Sequence, residues 1–308
     1  MASIKAWVSA FRPRTLFLAV GTTICGTGMA MKVDMLSAVG NKCSPIIFIL
    51  TTITAILLQL LSNLANDLGD YQQGTDITGK RVGPMRAVQS GEITPRQMKT
   101  AVYITISLSV LAGLSLIYVA LQFMEYKYIL LFLLLGAAAI YAAIKYTSGK
   151  NPYGYKGLGD IFSFLFFGPV PVVGTYFLHT HQVDFMPWLP AIGLGLLSAA
   201  VLNINNMRDM ENDRESGKIT IPIRIGFDNA KVYHLFLTIG MFACLIGYGI
   251  LYLSDWAQYL YIIVFVLFVL ILKGIFSTKE NRLLDPYLKY TSMSTFLLSL
   301  VFSICINL

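Results

Sequence analysis

Charge is in short supply in this sequence. Lys, Arg, Asp and Glu make up 13% of its 308 residues, where a soluble domain averages about 25%. A soluble body of this size would need far more polar side chains to cover its surface, and the same figures exclude disordered and collagen-like chains. Cysteine is scarce as well. Cys25, Cys43, Cys244 and Cys305 are scattered, with neither metal spacing nor a disulfide framework, and read as small apolar packing residues. The three histidines, His179, His181 and His234, stand away from the acidic residues, so no catalytic His is expected. What the chain has in excess is apolar: 56% of it is hydrophobic. The composition is that of a membrane protein.

Nine windows contain no Lys, Arg, Asp or Glu: 15–31, 43–66, 100–124, 128–144, 161–183, 185–207, 232–254, 256–272 and 290–308, from 17 to 25 residues long. Crossing a hydrocarbon layer of about 30 Å takes about 20 helical residues. None of the windows alternates polar and apolar residues, which excludes a β-barrel, and backbone satisfaction in lipid then leaves helices. The first window follows basic residues as a signal-peptide core would, but no small-x-small cleavage site comes after it. It is read as a retained span. Twenty of the Lys and Arg residues fall in the N-terminus and alternate loops, against only Lys32, Lys42 and Lys127 on the other side. That asymmetry predicts a cytoplasmic N-terminus and an outside C-terminus. The expected fold is one all-α polytopic domain over 1–308, and its net charge of +7 needs no nucleic acid to explain it.

Four acids, Asp34, Glu125, Asp184 and Asp255, fall on the outer side; the other 12 fall on the cytoplasmic side and concentrate in two loops. Each loop begins where a span ends. The first reads Asn63-Leu-Ala-Asn66-Asp67-Leu-Gly-Asp70, followed by Gly74 and Asp76; the second runs from Asn205 through Arg208, Asp209, Asp213 and Arg214 to Lys218. Residues three, four and seven apart share a helix face. Asn66 therefore stacks with Asp70, Asn63 with Asp67 and Asp70, and Asn205 with Asp209 and Asp213. An oxygen-only set without His or Cys favours a hard cation such as Mg²⁺. Carboxylates are costly in a membrane, about 2.5–3.5 kcal/mol each at the bilayer centre. The bland alternative is a pair of solvated helix ends neutralised by neighbouring Lys and Arg, and the matching of two stacks argues against it. Asn66 and Asn205, like Asp70 and Asp209, are 139 positions apart, which suggests two related halves with a site between them.

Basic residues are interleaved with these acids. Lys80, Arg81 and Arg86 follow the first cluster, Arg208, Arg214, Lys218 and Arg224 surround the second, and Lys145 ends the fourth window four residues after Tyr141. Acids for Mg²⁺ beside cations for phosphate oxygens describe a diphosphate site. Two Mg²⁺ ions would offset the roughly three negative charges of such a group and stabilise it as it leaves.

These motifs resemble those of the intramembrane aromatic prenyltransferases of the UbiA superfamily, which carry an NDxxDxxxD-like motif after the second helix and DxxxD after the sixth. Four stretches are similar to its 1,4-dihydroxy-2-naphthoate branch: Phe11-Arg-Pro-Arg-Thr15, the first acidic motif with Gly74-Thr-Asp76, Tyr153-Gly-Tyr-Lys-Gly-Leu-Gly-Asp160 with Phe166-Phe-Gly-Pro-Val170, and the second acidic motif. The resemblance implies nine helices around a central cavity, capped by the cytoplasmic loops and open sideways to lipid, in the bacterial cytoplasmic membrane. It implies transfer of a long isoprenyl group from a polyprenyl diphosphate to the naphthoate ring with loss of the carboxylate, giving demethylmenaquinone. Asn66, Asp67, Asp70, Asn205, Asp209 and Asp213 would hold the metals. Lys145, Arg208, Lys218, Arg81 and Arg86 would grip diphosphate. Asp76 is six residues beyond Asp70, off the Asp70 face, and is a further candidate ligand. Tyr141 would face the allylic cation or belong to the interfacial aromatic belt. Asp160 would orient the acceptor or cap its helix. Other acceptors, 4-hydroxybenzoate among them, fit the same motifs. A transporter would place its acids near the midplane, not at helix ends.

Overall fold

The computed structural model describes residues 2–36, 43–75 and 85–308. Asp76, Lys80 and Arg81 lie outside the described residues. Among those described, nine spans are long and apolar enough to cross a membrane: α1 (Pro13–Val33), α2 (Pro45–Gln72), α3 (Pro95–Leu121), α4 (Tyr126–Lys145), α5 (Gly159–Thr180), α6 (Trp188–Arg208), α7 (Phe227–Tyr252), α8 (Trp256–Ser277) and α9 (Asn281–Cys305). Each contains most or all of one charge-free window. Pro13, Pro45 and Pro95 open the first three, where a missing N–H costs no intrahelical bond. Thr94 and Gln97 complete a capping box ahead of α3, which satisfies two otherwise orphaned donors.

Two spans depart from a straight α-helix. In α5 the helix stops at Phe166 and restarts at Pro169, because Pro169 cannot continue the hydrogen-bond ladder. Gly168 lies at the break, and a Cβ there would come within 2.5 Å of the Ala191 carbonyl and 2.6 Å of the Gly195 Cα. The Phe-Gly-Pro-Val stretch is thus a close crossing of α5 over α6. In α8 the first turns, Trp256–Val264, are 3₁₀ before the α-helix begins at Phe265.

A short helix, Ile4–Phe11, precedes α1. Its Ala6 and Ala10 pack on Leu61, Leu64 and Leu68 of α2. The chain then turns at Arg12 (φ 48°), whose N–H donates to Ser9 O. Behind the elbow α1 packs on α2, α5 and α9, and α6 packs on α5, α7 and α9. Helices α3 and α4 lie beside α2, and α8 lies against α9 and α7. The first and last spans close the bundle on each other: Ser303 of α9 donates to Ile24 O (3.2 Å) and Asn307 to Gly28 O (2.9 Å). At that end a core of Met29, Tyr176, Leu194, Tyr248, Tyr261 and Phe302 fills the bundle, and the buried Lys32 ammonium donates to Ile306 O. None of the four cysteines forms a disulfide among the described residues.

Candidate functional site

The opposite end of the bundle is hollow. A cavity of about 1080 Å³ is walled by α1 to α6 and touched by Leu288 of α9. Its polar end is lined by Arg12, Arg14, Asn63, Asn66, Asp67, Asp70, Arg86, Asn205, Arg208 and Lys218. Further in, the lining is apolar: Leu18, Ala55, Leu58, Ile106, Val110, Leu114, Phe132, Ile140, Phe166 and Val170. Helices α4 and α5 meet near their far ends through Tyr128, Phe132 and Phe177. Nearer the polar end, Gly136 and Ile140 of α4 and Phe166 and Val170 of α5 border the cavity instead. Gly136 faces open space, with no atom within reach of an added Cβ.

The first acidic motif lies within α2, which stays helical through Gln72. Asn63, Asn66, Asp67 and Asp70 therefore share the face that their spacing of three and four dictates, and all four line the cavity. Each is at least 91% buried. Asp70 is tied down on both oxygens: Arg86 pairs with one, and the Tyr155 hydroxyl donates to the other (2.9 Å). Asn66 accepts from Thr147 (3.3 Å), and its carbonyl accepts from Arg86. Asp67 differs. It is 2% exposed, and its Oδ1 is buried with no hydrogen-bond partner. A buried acceptor is costly unless something satisfies it.

The second motif is built otherwise. Helix α6 ends at Arg208, Asp209 takes a non-helical conformation (φ −94°, ψ 11°), and a new helix runs over Met210–Glu215. Backbone bonds still step from Asn205 to Asp209 (3.1 Å) and from Asp209 to Asp213 (2.9 Å), so the spacing of four survives the kink. Arg208 is 1% exposed and grips Asp209 with two parallel bonds of 3.0 and 2.7 Å. The same guanidinium donates to Asn205 Oδ1 (2.8 Å) and Asp285 Oδ1 (2.5 Å). Lys218 pairs with Asp213 at 3.5 Å and lies 5.9 and 5.6 Å from the Tyr146 and Tyr155 ring centroids. Burial opposes the charge on Lys218, but Asp213, with Tyr146, Asp70 and Tyr155, more than offsets it and raises its pKa. The cation is therefore held at neutral pH. Burial, then Asp70, raises the Tyr155 pKa, which keeps that hydroxyl protonated as a donor.

Taken together, the structure brings to one cavity the oxygen donors of the first motif and, from the second, Asn205, Arg208 and Lys218. Asp209 and Asp213 stand just behind that wall, each on its cation. No three of the His, Cys, Asp and Glu side chains among the described residues form a metal-holding group. The chemistry of the donor set nonetheless fits a hard cation, since Asp67 Oδ1 is an unused carboxylate oxygen on the same face as Asn66 and Asp70.

Other expected residues sit further off. Tyr141 borders the cavity but is 62% exposed. Lys145, in the last turn of α4, is curled over Gly149 and does not line the cavity. Asp160 is buried in the first turn of α5 and turns to Tyr233 of α7, which hydrogen-bonds it. Sequence reasoning passed over the residues that hold the site in place. Tyr155 touches Asp70 across 85 positions, and Asp285 holds both Arg208 and Arg14; neither long-range pairing has a local signal. Tyr153, Phe162 and Phe166 form a run of stacked rings at centroid spacings of 4.0 and 6.2 Å along the cavity wall. Gln59 could have been found: it lies one turn before Asn63 on the same face.

Comparison with known proteins agrees with this architecture. The model of the UbiA prenyltransferase family matches residues 19–300. The chain is 40% identical over 298 residues to the 1,4-dihydroxy-2-naphthoate octaprenyltransferase of Escherichia coli, covering 97% of this chain and 94% of that one. It is 38% identical over 306 residues to the enzyme of the same name from Haemophilus influenzae, covering 98% and 95%. A solved structure of a UbiA homolog from Archaeoglobus fulgidus bound to DMAPP and Mg²⁺ superposes with a TM-score of 0.64 at 16% identity, covering 97% of this chain and 99% of that one. That likeness extends to the fold. With a family match across most of its length and near full-length relatives, the chain belongs to the UbiA prenyltransferase family.

Proposed function

We propose that this intramembrane prenyltransferase moves a polyprenyl group from its allylic diphosphate to 1,4-dihydroxy-2-naphthoate. The observation that carries the reading is the division of one cavity into a charged end, with Asn66, Asp67 and Asp70 beside Arg208 and Lys218, and an apolar remainder. The naphthoate acceptor follows from the two near full-length relatives named for it. The diphosphate belongs at the charged end, the tail along the apolar wall between α4 and α5, and the aromatic acid beside α1 and α2.

In this reading Asp67, with Asn66 and Asp70, holds Mg²⁺; two ions, the second at Asn205, Asp209 and Asp213, suit the charge of a diphosphate. When bound, Mg²⁺ supplies charge stabilisation for the departing diphosphate. The chain's own cations would do the same work: Arg208, Lys218 and Arg86, which line the cavity, would meet phosphate oxygens, where burial strengthens a charged contact. The allylic C–O bond breaks, its electron pair leaving with diphosphate. The aromatic faces of Tyr146, Tyr153 and Phe162, and Tyr141 at the rim, stabilise the resulting cation. The ring carbon forms the new C–C bond, and the carboxylate departs as CO₂, its bonding pair restoring the aromatic ring. The product is the quinol form of demethylmenaquinone. The 20-to-3 distribution of basic residues supports a site at the cytoplasmic face of a bacterial inner membrane.

The test is incubation of the purified protein with Mg²⁺, a polyprenyl diphosphate and each aromatic acid in turn. Prenylation of 1,4-dihydroxy-2-naphthoate is expected. Prenylation of 4-hydroxybenzoate in its place would overturn the assignment of the acceptor.

A further inference from the structure

Resting on that reading, we infer that Gln59 receives a hydrogen bond from a phenolic hydroxyl of the aromatic acceptor, and so selects and orients it. The argument begins at two backbone carbonyls, which can only accept. Asn63 donates through Nδ2 to Phe11 O (2.9 Å), and this fixes which side of its amide is oxygen. Asn63 Oδ1 must then accept, and it does so from Gln59 Nε2 (3.0 Å). Thr15 donates its hydroxyl proton to Arg12 O (2.9 Å), which leaves its oxygen to accept from Asn63 Nδ2 (2.9 Å) and Gln59 Nε2 (3.2 Å). The network leaves no freedom in the Gln59 amide: both donor bonds engage Nε2, and Oε1 is the atom left over. That oxygen is buried with no hydrogen-bond partner, on a side chain 7% exposed that lines the cavity.

A buried acceptor with its orientation imposed from behind is a recognition element for a donor. Its position says which donor. Gln59 lies seven residues before Asn66 on the same α-helix, about 10 Å along the axis at 1.5 Å per residue. This is about the length of a two-ring aromatic acid placed next to the diphosphate end. The isoprenyl tail carries no hydroxyl and the diphosphate carries acceptors, so of the reactants only the dihydroxy acid brings a hydroxyl to donate. Accepting that bond also leaves more electron density on the ring as the new C–C bond forms.

The experiment uses the full-length protein with Mg²⁺ and polyprenyl diphosphate. The KM for 1,4-dihydroxy-2-naphthoate is compared with inhibition constants for 1-hydroxy-2-naphthoate and 4-hydroxy-2-naphthoate, in wild type, Gln59→Met and Gln59→Leu. One monohydroxy acid, lacking the hydroxyl that Gln59 receives, should bind wild type about tenfold more weakly, the worth of one hydrogen bond of about 1.4 kcal/mol. Both variants should weaken the dihydroxy acid by the same factor, leave that analogue unaffected, and leave the KM for the diphosphate unchanged. Equal binding of all three acids to wild type overturns the proposal without any variant. So does a preference that persists in the variants, or a loss shared equally with the diphosphate. Failure of wild type to prenylate the dihydroxy acid at all overturns the proposed acceptor, and the role of Gln59 with it.

Discussion

Asp67 and Arg208 pose opposite electrostatic problems, and each predicts its own mutant. Asp67 has a buried carboxylate oxygen that the protein leaves without a donor. Asp67→Asn removes a poorly compensated charge, so the metal-free protein should lose no stability and gain up to about 1 kcal/mol. Transfer should fall at least about 100-fold, and Mg²⁺, expected to raise the unfolding temperature of wild type, should no longer do so. A clear loss of metal-free stability would falsify the assignment of this oxygen. Arg208 is the reverse: a buried cation satisfied by Asp209, Asn205 and Asp285. Arg208→Met removes the cation of the buried Arg208–Asp209 pair, and loss of one member of such a pair costs about 3–5 kcal/mol. Arg208→Lys should recover little of it, because a point charge cannot reproduce the two-pronged grip. Lys218 carries the pH dependence. Its folded pKa is raised, so its contribution is complete below the ordinary Lys value near 10.4 and is lost only as pH climbs through the higher folded value. The stability difference between wild type and Lys218→Met should therefore stay constant from pH 6 to 9. The Arg208–Asp209 pair also shows where reading the chain stopped. Adjacent residues do not share a helix face, and the pair forms because Asp209 has left the helix, which spacing alone does not reveal.

At the scale of elements, hydropathy located all nine spans because lipid demands unbroken apolar length. It was blind to how each span is wound. The break in α5 and the 3₁₀ opening of α8 come from local backbone geometry and neighbour packing, which leave the average apolarity unchanged. The close crossings carry a prediction. A Cβ on Gly69 would meet Thr147 Oγ1 at 2.3 Å and the Thr147 carbonyl carbon at 2.9 Å. Gly69 thus lets the segment after α4 close over the end of α2, where Thr147 reaches Asn66 and Tyr155 reaches Asp70. Gly69→Ala should cost about 1–3 kcal/mol of stability through overpacking. Because it lifts both contacts from the Asn66–Asp70 face, kcat should fall more than the KM for the naphthoate rises; steady-state kinetics and thermal unfolding measured on the same preparation decide this.

For the whole molecule, the two ends of the bundle do different work. One is a filled core of aromatic and aliphatic side chains; the other holds the charged mouth of the cavity. The positive-inside asymmetry, legible in the sequence, predicts that the charged end faces the cytoplasm. In a cysteine-free background, a cysteine replacing Ser3 should resist a membrane-impermeant maleimide in intact cells, and one replacing Leu308 should react. Labelling of Ser3→Cys from outside would invert the topology. What the chain did not disclose is which acids line the cavity: both motifs have the right letters, but the fold brings Asp67 and Asp70 to the wall and pairs Asp209 and Asp213 with Arg208 and Lys218 behind it.

The seam between α1 and α9 has a consequence for biogenesis. Arg14 and Arg208 both meet Asp285 of α9, and Ser292, Ser303 and Asn307 donate to carbonyls of α1. Span α1 is therefore completed only once α9 has been made. Until α9 leaves the ribosome, a nascent chain carries the cavity-lining Arg14 and Arg208 without their shared carboxylate and α1 with an open flank. Maturation thus waits on the synthesis of α9, and a chain stalled before it should be a substrate for membrane quality control, not a partly active enzyme.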